Sequence, residues 1–303
     1  MAKLEKINFH GWQNSYRLSN AQIELVVTTD VGPRVIFFGA AGGVNEFAEY
    51  ADQLGKTGGD EWRIYGGHRL WHAPEKMPRT YYPDNSPVKL EEHGKLVRVI
   101  QPTEPTTGIQ KEMDFEMSDD KAMVKITHRL INHNLWEIEL AIWALSVMSQ
   151  GGVGIFPLPP RGSHAENLEP KNLISLWAYT DMSDPRWTWG KRTILLRQDP
   201  KAQTPQKVGI DCQDGWCAYA NHNNLFVKKF TYIPNAVYPD FGCSVETFTN
   251  SDMLEVETLS PMTRLAPEAK VEHVETWHLI RDVQAPHNDA EVEQFILPKL
   301  AAL

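Results

Sequence analysis

The hydrophobic positions of this chain fall in short runs rich in β-branched and aromatic residues, and turn residues separate the runs. Polar and apolar side chains alternate within them, as in the run from Val124 to Thr127, which is the period of a half-buried strand. The runs that predict strands are 21–29, 34–38, 95–101, 108–117, 121–132, 136–148, 193–196, 216–220, 225–232, 243–249, 253–259 and 271–280. Short strands joined by turns, with little helical periodicity, indicate antiparallel sheets rather than βαβ units. The sequence therefore predicts an all-β fold.

Four segments depart from the strand pattern. A short helix is predicted at 45–54, and another at 289–303, where it would cover a sheet edge. Segments 58–85 and 151–168 are punctuated by glycine and proline, so both are predicted to be long loops. No internal repeat, low-complexity tract or change in composition marks a boundary, and we expect residues 1–303 to form a single domain.

The charge balance limits the classes of partner that the protein is expected to bind. The chain has 30 Lys and Arg residues against 39 Asp and Glu residues, a net charge of −9, and it has no basic stripe. This balance argues against binding to nucleic acid or to an anionic membrane. The N-terminal segment has charges where a signal peptide has its apolar core, and no apolar run approaches the ~20 residues of a membrane span. We therefore expect a soluble, cytoplasmic protein, whose oligomeric state the sequence does not predict.

Residues that usually hold metals or cofactors lack a diagnostic spacing. The three cysteines are too few for a disulfide framework and are not spaced as zinc ligands. His68 and His72 are four residues apart, as metal ligands are on a helix, but Gly66 and Pro74 flank them and disfavour a helix. The glycine-rich turn at 39–43 is not followed by the residues of a phosphate loop. We expect neither a metal nor a cofactor.

Aromatic and polar residues together suggest a sugar ligand. Ten tryptophans and nine tyrosines are many for an acidic chain. Aromatic faces suit the apolar faces of sugar rings, while carboxylates and amides bind the hydroxyl groups. The segment 58–85 concentrates such residues and adds several arginines, whose forked donors can orient a ring oxygen or a carboxylate. The alternative is that most of the aromatic residues belong to the core or to strands.

The strand at 253–259 places two carboxylates side by side. Alternation puts Glu255, Glu257 and Leu259 on one face, and Leu254 and Val256 on the other face, which we expect to be core. If the glutamates face a cleft, their repulsion raises the pKa of one of them, as suits a general acid or base. The alternative is that both are solvated on an exposed face of the sheet.

Several runs resemble the galactose mutarotases (aldose 1-epimerases) and a related group of bacterial domains, the DUF4380-type domains. These runs are 66–75 (GGHRLWHAPE), 238–243 (YPDFGC), 254–261 (LEVETLSP), 265–268 (LAPE) and 275–277 (ETW). The resemblance extends roughly from Ile23 to Ile280. It implies a large antiparallel two-sheet sandwich, the supersandwich, which binds a sugar on the concave face of one sheet.

The resemblance also implies catalytic roles. In mutarotases a Glu-Thr-x-x-Pro-like segment supplies the general base, and 257–261 matches it, so Glu257 is the expected base. A histidine in an Asn-His-x-Tyr-Phe segment supplies the acid, but the matching position here, 142–145, has no histidine. His68 is the expected replacement. The residues expected to contact the sugar are Arg63, Arg69, Trp71, Glu75, Tyr82, Asp84, Trp143, Asp240 and Glu246.

Three functions remain open at this point. The first is acid–base chemistry at the anomeric carbon of an aldose or related sugar, as in an aldose 1-epimerase. The second is a carbohydrate-binding module without catalysis, which the missing histidine favours. The third is a sugar hydrolase or lyase, because one fold hosts several chemistries. Two glutamates at glycosidase separation, one of them Glu257, would indicate a hydrolase, and Tyr82 beside Arg63 or Arg69 would indicate a lyase.

Overall fold

Two antiparallel sheets form a sandwich in the computed structural model, which describes residues 2–303. Within that range the first sheet has 11 strands and the second has 10. Neighbouring strands are antiparallel throughout both sheets. The predicted all-β supersandwich is therefore confirmed.

The order of strands places distant parts of the chain side by side. The first sheet runs through β1 (Lys3–Phe9), β2 (Trp12–Ser19), β3 (Ile23–Thr28), β4 (Arg34–Ala40), β5 (Gly67–Ala73), β10 (Ile138–Met148), β19 (Leu254–Leu259), β18 (Val245–Thr249), β15 (Gln206–Ile210) and β12 (Ile174–Leu176), and β20 (Thr263–Leu265) also pairs with β10. The second sheet runs through β13 (Trp187–Trp189), β14 (Thr193–Arg197), β11 (Val153–Pro157), β16 (Trp216–Asn221), β17 (Asn224–Phe230), β21 (Lys270–Arg281), β9 (Met123–Asn132), β8 (Ile109–Met117), β7 (Leu96–Ile100) and β6 (Lys89–His93).

The main hydrophobic core lies between the two sheets. Leu70 of β5, Ile142 of β10 and Val256 of β19 point inward from the first sheet and are fully buried. Phe226 of β17 and Trp277 of β21 belong to the same core, and their ring centres lie 5.3 Å apart in an edge-to-face contact. Burying each such side chain contributes roughly 1.5–3 kcal/mol. Because side chains alternate along a strand, this core also fixes which residues of the first sheet face outward.

Strand β5 lies inside the segment that the sequence predicted to be a loop. Its residues are all buried, and it pairs with β4 on one side and β10 on the other. Gly66 and Gly67 have positive φ, and a Cβ on Gly67 would lie 2.0 Å from the carbonyl oxygen of Val35. These glycines allow a close approach of two backbones, so a run typical of a turn instead leads into a central strand.

Other regions also differ from their predictions, including the short strands β12, β13, β15 and β20, which were not predicted. Residues 45–54 form turns and isolated bridges instead of a helix, because the Asn45 amide bonds the backbone of β4. Strand β11, with five buried residues, lies within the predicted loop 151–168. Strands β1 and β2 were not predicted, since their many polar residues hide the alternation.

The C-terminal segment is helical and covers a sheet face. It consists of α1 (Asp289–Glu291), a π-helical turn (Val292–Ile296) and α2 (Leu297–Ala301). Its buried side chains pack on the outer face of β11 and β16, rather than on a sheet edge, in a cluster that contains Val292, Ile296, Leu300, Ile155 and Ala218. Among residues 2–303, no helix has both the length and the apolar character that a membrane crossing requires.

Candidate functional site

The candidate site lies on the face of the first sheet that points away from the core. Leu145 of β10 lies opposite both Arg69 of β5 and Glu257 of β19, and Glu246 of β18 lies opposite Glu257. Directly opposed residues point to the same face of a sheet. These four side chains therefore form one row across four strands, which is how the fold brings together residues far apart in sequence.

A cavity of about 310 Å³ lies on this face. Its volume is at the small end of the range for ligand pockets, roughly 300–1,000 Å³. Aromatic and charged side chains line it together, among them Arg69, Trp71, Trp143, Tyr179, Lys207 and Glu255. Such a lining suits a small polar ligand that also has apolar faces.

Arg69 is held in the cavity wall by a carboxylate and by an aromatic ring. Its Nη2 donates to the Glu255 carboxylate at 2.7 Å, and its guanidinium carbon lies 4.5 Å from the centre of the Trp71 ring. Both partners of the ion pair are almost fully buried. The pair fixes the guanidinium plane, and the remaining donors of Arg69 stay available.

Lys207 is the charged centre of the other side of the cavity. Its ammonium nitrogen lies 2.8 Å from the Glu246 carboxylate and 3.4 Å from the Glu257 carboxylate. The rings of Trp143 and Trp177 lie 4.6 and 4.7 Å from the same nitrogen, so two cation–π contacts accompany the ion pairs. One buried cation therefore serves two buried carboxylates.

Apart from the Glu246 carboxylate, whose contact is the ion pair with Lys207, four buried polar atoms at this site have no hydrogen-bond partner within the described residues. They are Nε and Nη1 of Arg69, Nε1 of Trp71 and Oε1 of Glu257. Leaving a buried polar group without a partner costs roughly 1–3 kcal/mol, and more when the group is charged. Such a concentration around one cavity is expected where a ligand supplies the missing partners.

The pKa values of Glu246 and Glu257 differ from those of ordinary surface glutamates. Burial raises the pKa of Glu257 to about 7, because the pull of Lys207 offsets only part of the burial effect. Burial also raises the pKa of Glu246 well above its ordinary value. Burial disfavours the charge of Lys207, but attraction to Glu246 and Glu257 outweighs it and raises the pKa of Lys207. One ammonium lies between two buried carboxylates, so an ionised Glu257 disfavours the charge of Glu246.

Glu257 itself lies beneath the cavity rather than in its lining. Its side chain is fully buried and accepts a hydrogen bond from Trp143 Nε1 at 2.7 Å. Trp143 and Lys207, which contact it, do line the cavity. Trp143 Nε1 and Lys207 Nζ both contact Oε2 of Glu257, which leaves Oε1 without a partner.

The structure brings together most of the residues expected from the sequence. Arg69, Trp71, Glu75 and Trp143 line the cavity, and Glu75 accepts a hydrogen bond from Tyr81. Glu246 and Glu257 lie directly below it, around Lys207. Glu255 and Glu257 share the outward face of β19 as predicted, but they are buried, so the alternative of two solvated glutamates is wrong.

His68 does not meet Glu257, which corrects the expected acid–base pair. It precedes Arg69 on β5, so its side chain points to the opposite face, into the core between the sheets. Its Nδ1 lies 2.9 Å from Ser146 Oγ and its Nε2 lies 2.7 Å from His128 Nε2. Burial lowers the pKa of His68 well below its ordinary value. It is therefore neutral and does not reach the cavity.

Four other expected sugar contacts do not line this cavity. Arg63 donates to Glu61 and to backbone within its own loop and does not line the cavity. Asp84 is buried and forms an ion pair with Lys111 at 3.1 Å. Asp240 lies in a turn with positive φ, where its carbonyl oxygen accepts from Ser175. Tyr82 lines a neighbouring cavity instead.

The sequence prediction missed Lys207, Tyr81, Trp62 and Tyr179, which all line the cavity. Lys207 is a single lysine in a five-residue strand, and only strand pairing shows that it meets two glutamates. Tyr81 is next to Tyr82 in the chain. The sequence does not show which of the two side chains points into the cavity. Trp177 and Tyr179 follow β12 in a segment whose sequence has no strand period.

His68, His128 and Glu275 form a buried cluster on the core face that could in principle hold a metal. His128 Nδ1–H donates to the carbonyl oxygen of His273, so its neutral Nε2 accepts from His68 Nε2–H, and His68 Nδ1 accepts from Ser146. The Glu275 carboxylate is bonded by Thr258, Trp277 and Lys228. Every donor is matched to an acceptor, and the Lys228 charge opposes a cation. The cluster is thus a complete hydrogen-bond network without a metal.

Solved structures of known proteins share this architecture. A TPR-domain containing protein from Parabacteroides distasonis aligns with a TM-score of 0.59 and 14% identity, over 90% of this chain and 48% of that one, so this chain spans about half of its length. A galactose mutarotase-like protein from Lactobacillus casei aligns with a TM-score of 0.58 and 9% identity, over 88% of this chain and 100% of that one. A galactose mutarotase related enzyme from Lactobacillus acidophilus aligns with a TM-score of 0.56 and 9% identity, over 89% and 99%. This chain has the galactose mutarotase-like fold.

The similarity to these proteins is a similarity of fold. Identities of 9–14% do not carry an activity or a set of residues from one protein to another. No family model and no curated protein matches the sequence. The resemblance of the GGHRLW run to the DUF4380-type domains therefore stays a prediction.

Proposed function

We propose that this protein binds an aldose or a related sugar in the outer-face cavity and interconverts its anomers. The observation that carries the proposal is the set of unpartnered buried atoms around one small aromatic cavity: two donors of Arg69, the indole N–H of Trp71 and the free Oε1 of Glu257. A pyranose offers the complementary groups, with hydroxyl groups around its rim and C–H bonds on its faces. The galactose mutarotase-like fold supports this ligand class.

Glu257 acts as the general base. A pKa of about 7 leaves the carboxylate partly ionised at neutral pH and lets it both accept and return a proton, which is the optimum for such a group. Glu257 takes the proton of the C1 hydroxyl as the bond between C1 and the ring oxygen breaks. The open-chain aldehyde then rotates about the C1–C2 bond and closes on its other face, and the proton returns to O1.

Lys207 acts as the proton donor to the ring oxygen, in place of the missing histidine. Its nitrogen lies 3.4 Å from a Glu257 oxygen, so the two groups can reach the two oxygens bonded to C1. The Lys207 ammonium is charged at neutral pH and forms a charge-assisted hydrogen bond to the ring oxygen as negative charge develops there. It gives that oxygen its proton when the ring opens and takes the proton back when the ring closes. Glu246 holds the ammonium from the opposite side.

Anomer exchange measured by NMR tests this proposal. Wild-type protein is expected to speed exchange between the anomers of at least one aldose in a panel that includes D-glucose and D-galactose. Glu257→Gln keeps the shape of the site and is expected to lower the rate by about 10²–10⁴-fold, since general acid–base assistance has that size. Glu116→Gln, a change at an exposed strand position far from the cavity, is the matched control. Full rate in Glu257→Gln would overturn the role of Glu257.

A non-catalytic carbohydrate-binding module is the second candidate. The burial of Glu257 beneath Trp143 and Lys207 favours it, because a base that stays covered does not touch the substrate. In that case sugars bind with the same affinity to wild-type protein and to Glu257→Gln, and neither protein changes the rate of anomer exchange. Measuring binding and exchange on the same samples separates the two candidates.

A further inference from the structure

A second cavity, of about 740 Å³, lies beside the candidate site. Tyr81 lines both cavities and is the wall between them. The second cavity also contains Tyr82, Trp136, Asn134, Arg79 and Glu139. The two cavities are therefore neighbours on one surface of the molecule.

A run of aromatic rings connects the cavities. The ring centres of Trp143 and Trp71 lie 5.5 Å apart, and those of Trp71 and Tyr81 lie 5.0 Å apart. Trp62 lines the first cavity and packs on both Trp71 and Tyr81, with ring centres 5.8 and 5.4 Å apart. The aromatic surface that would contact a sugar in the first cavity thus continues to the edge of the second.

Trp136 gives the second cavity an exposed aromatic face. Its side chain is 64% exposed, although burial is the usual state of so large an apolar ring. The Asn132 side chain donates to the Trp136 carbonyl oxygen at 2.9 Å, which fixes the tip of the β9–β10 hairpin and the position of Trp136. An exposed ring on an ordered hairpin is available for contact with a ligand.

The polar groups of the second cavity indicate which ligand it fits. Asp60 and Glu139 are acidic and Arg79 is basic, so the lining has no dominant charge that would select a strong anion or cation. Ser86, Thr106, Thr107 and Asn134 add uncharged hydroxyl and amide groups to the lining. Aromatic faces with uncharged and mixed-charge hydrogen-bonding groups complement a neutral, hydroxylated ring.

We propose that the second cavity binds a further sugar ring of the same substrate, so that the substrate is a reducing disaccharide or a longer saccharide. This inference rests on the proposed function, because the reacting ring occupies the first cavity. The reducing-end ring lies over Trp71 and Trp143, and the next ring passes Tyr81 and stacks on Trp136. Binding energy from a non-reacting ring also improves the positioning of the reacting one.

The test compares single sugars with disaccharides. Binding and anomer exchange are measured for D-glucose, D-galactose, maltose, cellobiose and lactose. Wild-type protein is expected to bind at least one disaccharide about tenfold more tightly than the corresponding monosaccharide. Trp136→Ala and Tyr82→Ala are each expected to reduce that preference by about tenfold, which corresponds to about 1.4 kcal/mol. Phe295→Ala removes an aromatic ring that is 53% exposed on the C-terminal helical segment, and it is expected to keep the preference.

The outcomes distinguish this inference from the function on which it rests. Equal affinity for monosaccharides and disaccharides, or an unchanged preference in Trp136→Ala, would overturn the second subsite while the anomeric chemistry stands. Absence of binding and of exchange for every sugar would overturn the proposed function and the subsite with it. Trp136 is exposed and its backbone contact does not depend on the side chain, so Trp136→Ala is expected to fold.

Discussion

The two faces of strands β5, β10 and β19 carry polar residues that behave in opposite ways. On the face toward the core, His68, Ser146 and Thr258 have hydrogen-bond partners in the second sheet or in each other, although both ring nitrogens of His72, farther along β5, have none. On the outer face, Arg69 and Glu257 keep polar atoms without partners, although both are buried. A step of one residue along a strand thus separates a structural network from a candidate binding site.

The pKa values of the buried carboxylates also differ between the two faces. Lys228, His128 and His273 outweigh the effect of burial on Glu275 and lower its pKa to about 2. Burial raises the pKa of Glu257, on the outer face, to about 7. The core-face carboxylate is permanently ionised and fixed, whereas the outer-face carboxylate can exchange a proton near neutral pH. Incomplete pairing around a cavity, rather than burial or charge alone, therefore distinguishes the site from the polar core.

Removal of the core-face carboxylate is expected to have the largest effect on stability. Glu275→Ala leaves the Lys228 ammonium buried without its ion-pair partner, which typically costs about 3–5 kcal/mol of the free energy of unfolding. Glu257→Gln keeps the hydrogen bond from Trp143 and is expected to cost about 1 kcal/mol or less at pH 6. Urea denaturation measures both. Equal losses in the two variants would contradict the contrast between the faces.

Neighbouring residues on β5 provide the next comparison. His68→Ala is expected to reduce the free energy of unfolding by about 2–4 kcal/mol, because it leaves a cavity and unpaired groups in the core. The folded variant is expected to keep its sugar affinity. Arg69→Ala is expected to lower sugar affinity by about tenfold or more, since Arg69 supplies two free donors. Stability is measured by urea denaturation and affinity by calorimetry, and loss of affinity in His68→Ala would place His68 in the site.

The pH dependence of stability is expected to differ between Glu257→Gln and wild type. The folded pKa of Glu257, about 7, is above its ordinary value of 4.5, so protonated Glu257 favours the folded state. This contribution is complete below pH 4.5 and is lost as the pH rises through 7. Glu257→Gln does not titrate, so its stability relative to wild type is expected to rise by about 1–3 kcal/mol between pH 5 and pH 8. A constant difference across this range would contradict the raised pKa.

The smallest expected effect concerns the hydrogen bond to Glu257. Trp143→Phe removes the indole N–H that donates to the Glu257 carboxylate at 2.7 Å but keeps an aromatic face. Because this bond favours the ionised form, its loss is expected to raise the pKa of Glu257 by about one unit or less, or roughly 0.5–1.5 kcal/mol. The pH profile of anomer exchange reports the shift. A profile identical to that of wild type would mean that Trp143 does not control the base.

The contrast between the two faces of the strands also explains which parts of the site the sequence could predict. Alternation along 253–259 placed Glu255 and Glu257 on one face and Leu254 and Val256 in the core, because every residue of β19 is in regular strand geometry. The same rule applied to 67–73 would have separated His68 from Arg69 and Trp71. Gly66 and Gly67 instead indicate a loop in the sequence, which hides the strand.

Other features of the site depend on contacts between residues far apart in sequence, which a local sequence pattern does not predict. Lys207 meets Glu246 and Glu257 only because β15, β18 and β19 are neighbours in the sheet, and the order of strands is a property of the whole fold. The burial of Glu257 likewise depends on Trp143 from a strand more than a hundred residues away in sequence. Composition and spacing predicted the class of ligand groups, but tertiary pairing determines which of them meet.

A crystal structure with a bound sugar tests the central claim most directly. The aldose or disaccharide that binds most tightly in solution is soaked into crystals of Glu257→Gln, which retains the shape of the site. We expect hydroxyl oxygens of the sugar within hydrogen-bond distance of Trp71 Nε1 and of the free donors of Arg69, with the anomeric carbon next to residue 257. A sugar bound elsewhere on the molecule, with these atoms still unpartnered, would contradict the assignment of the outer face of the first sheet as the functional site.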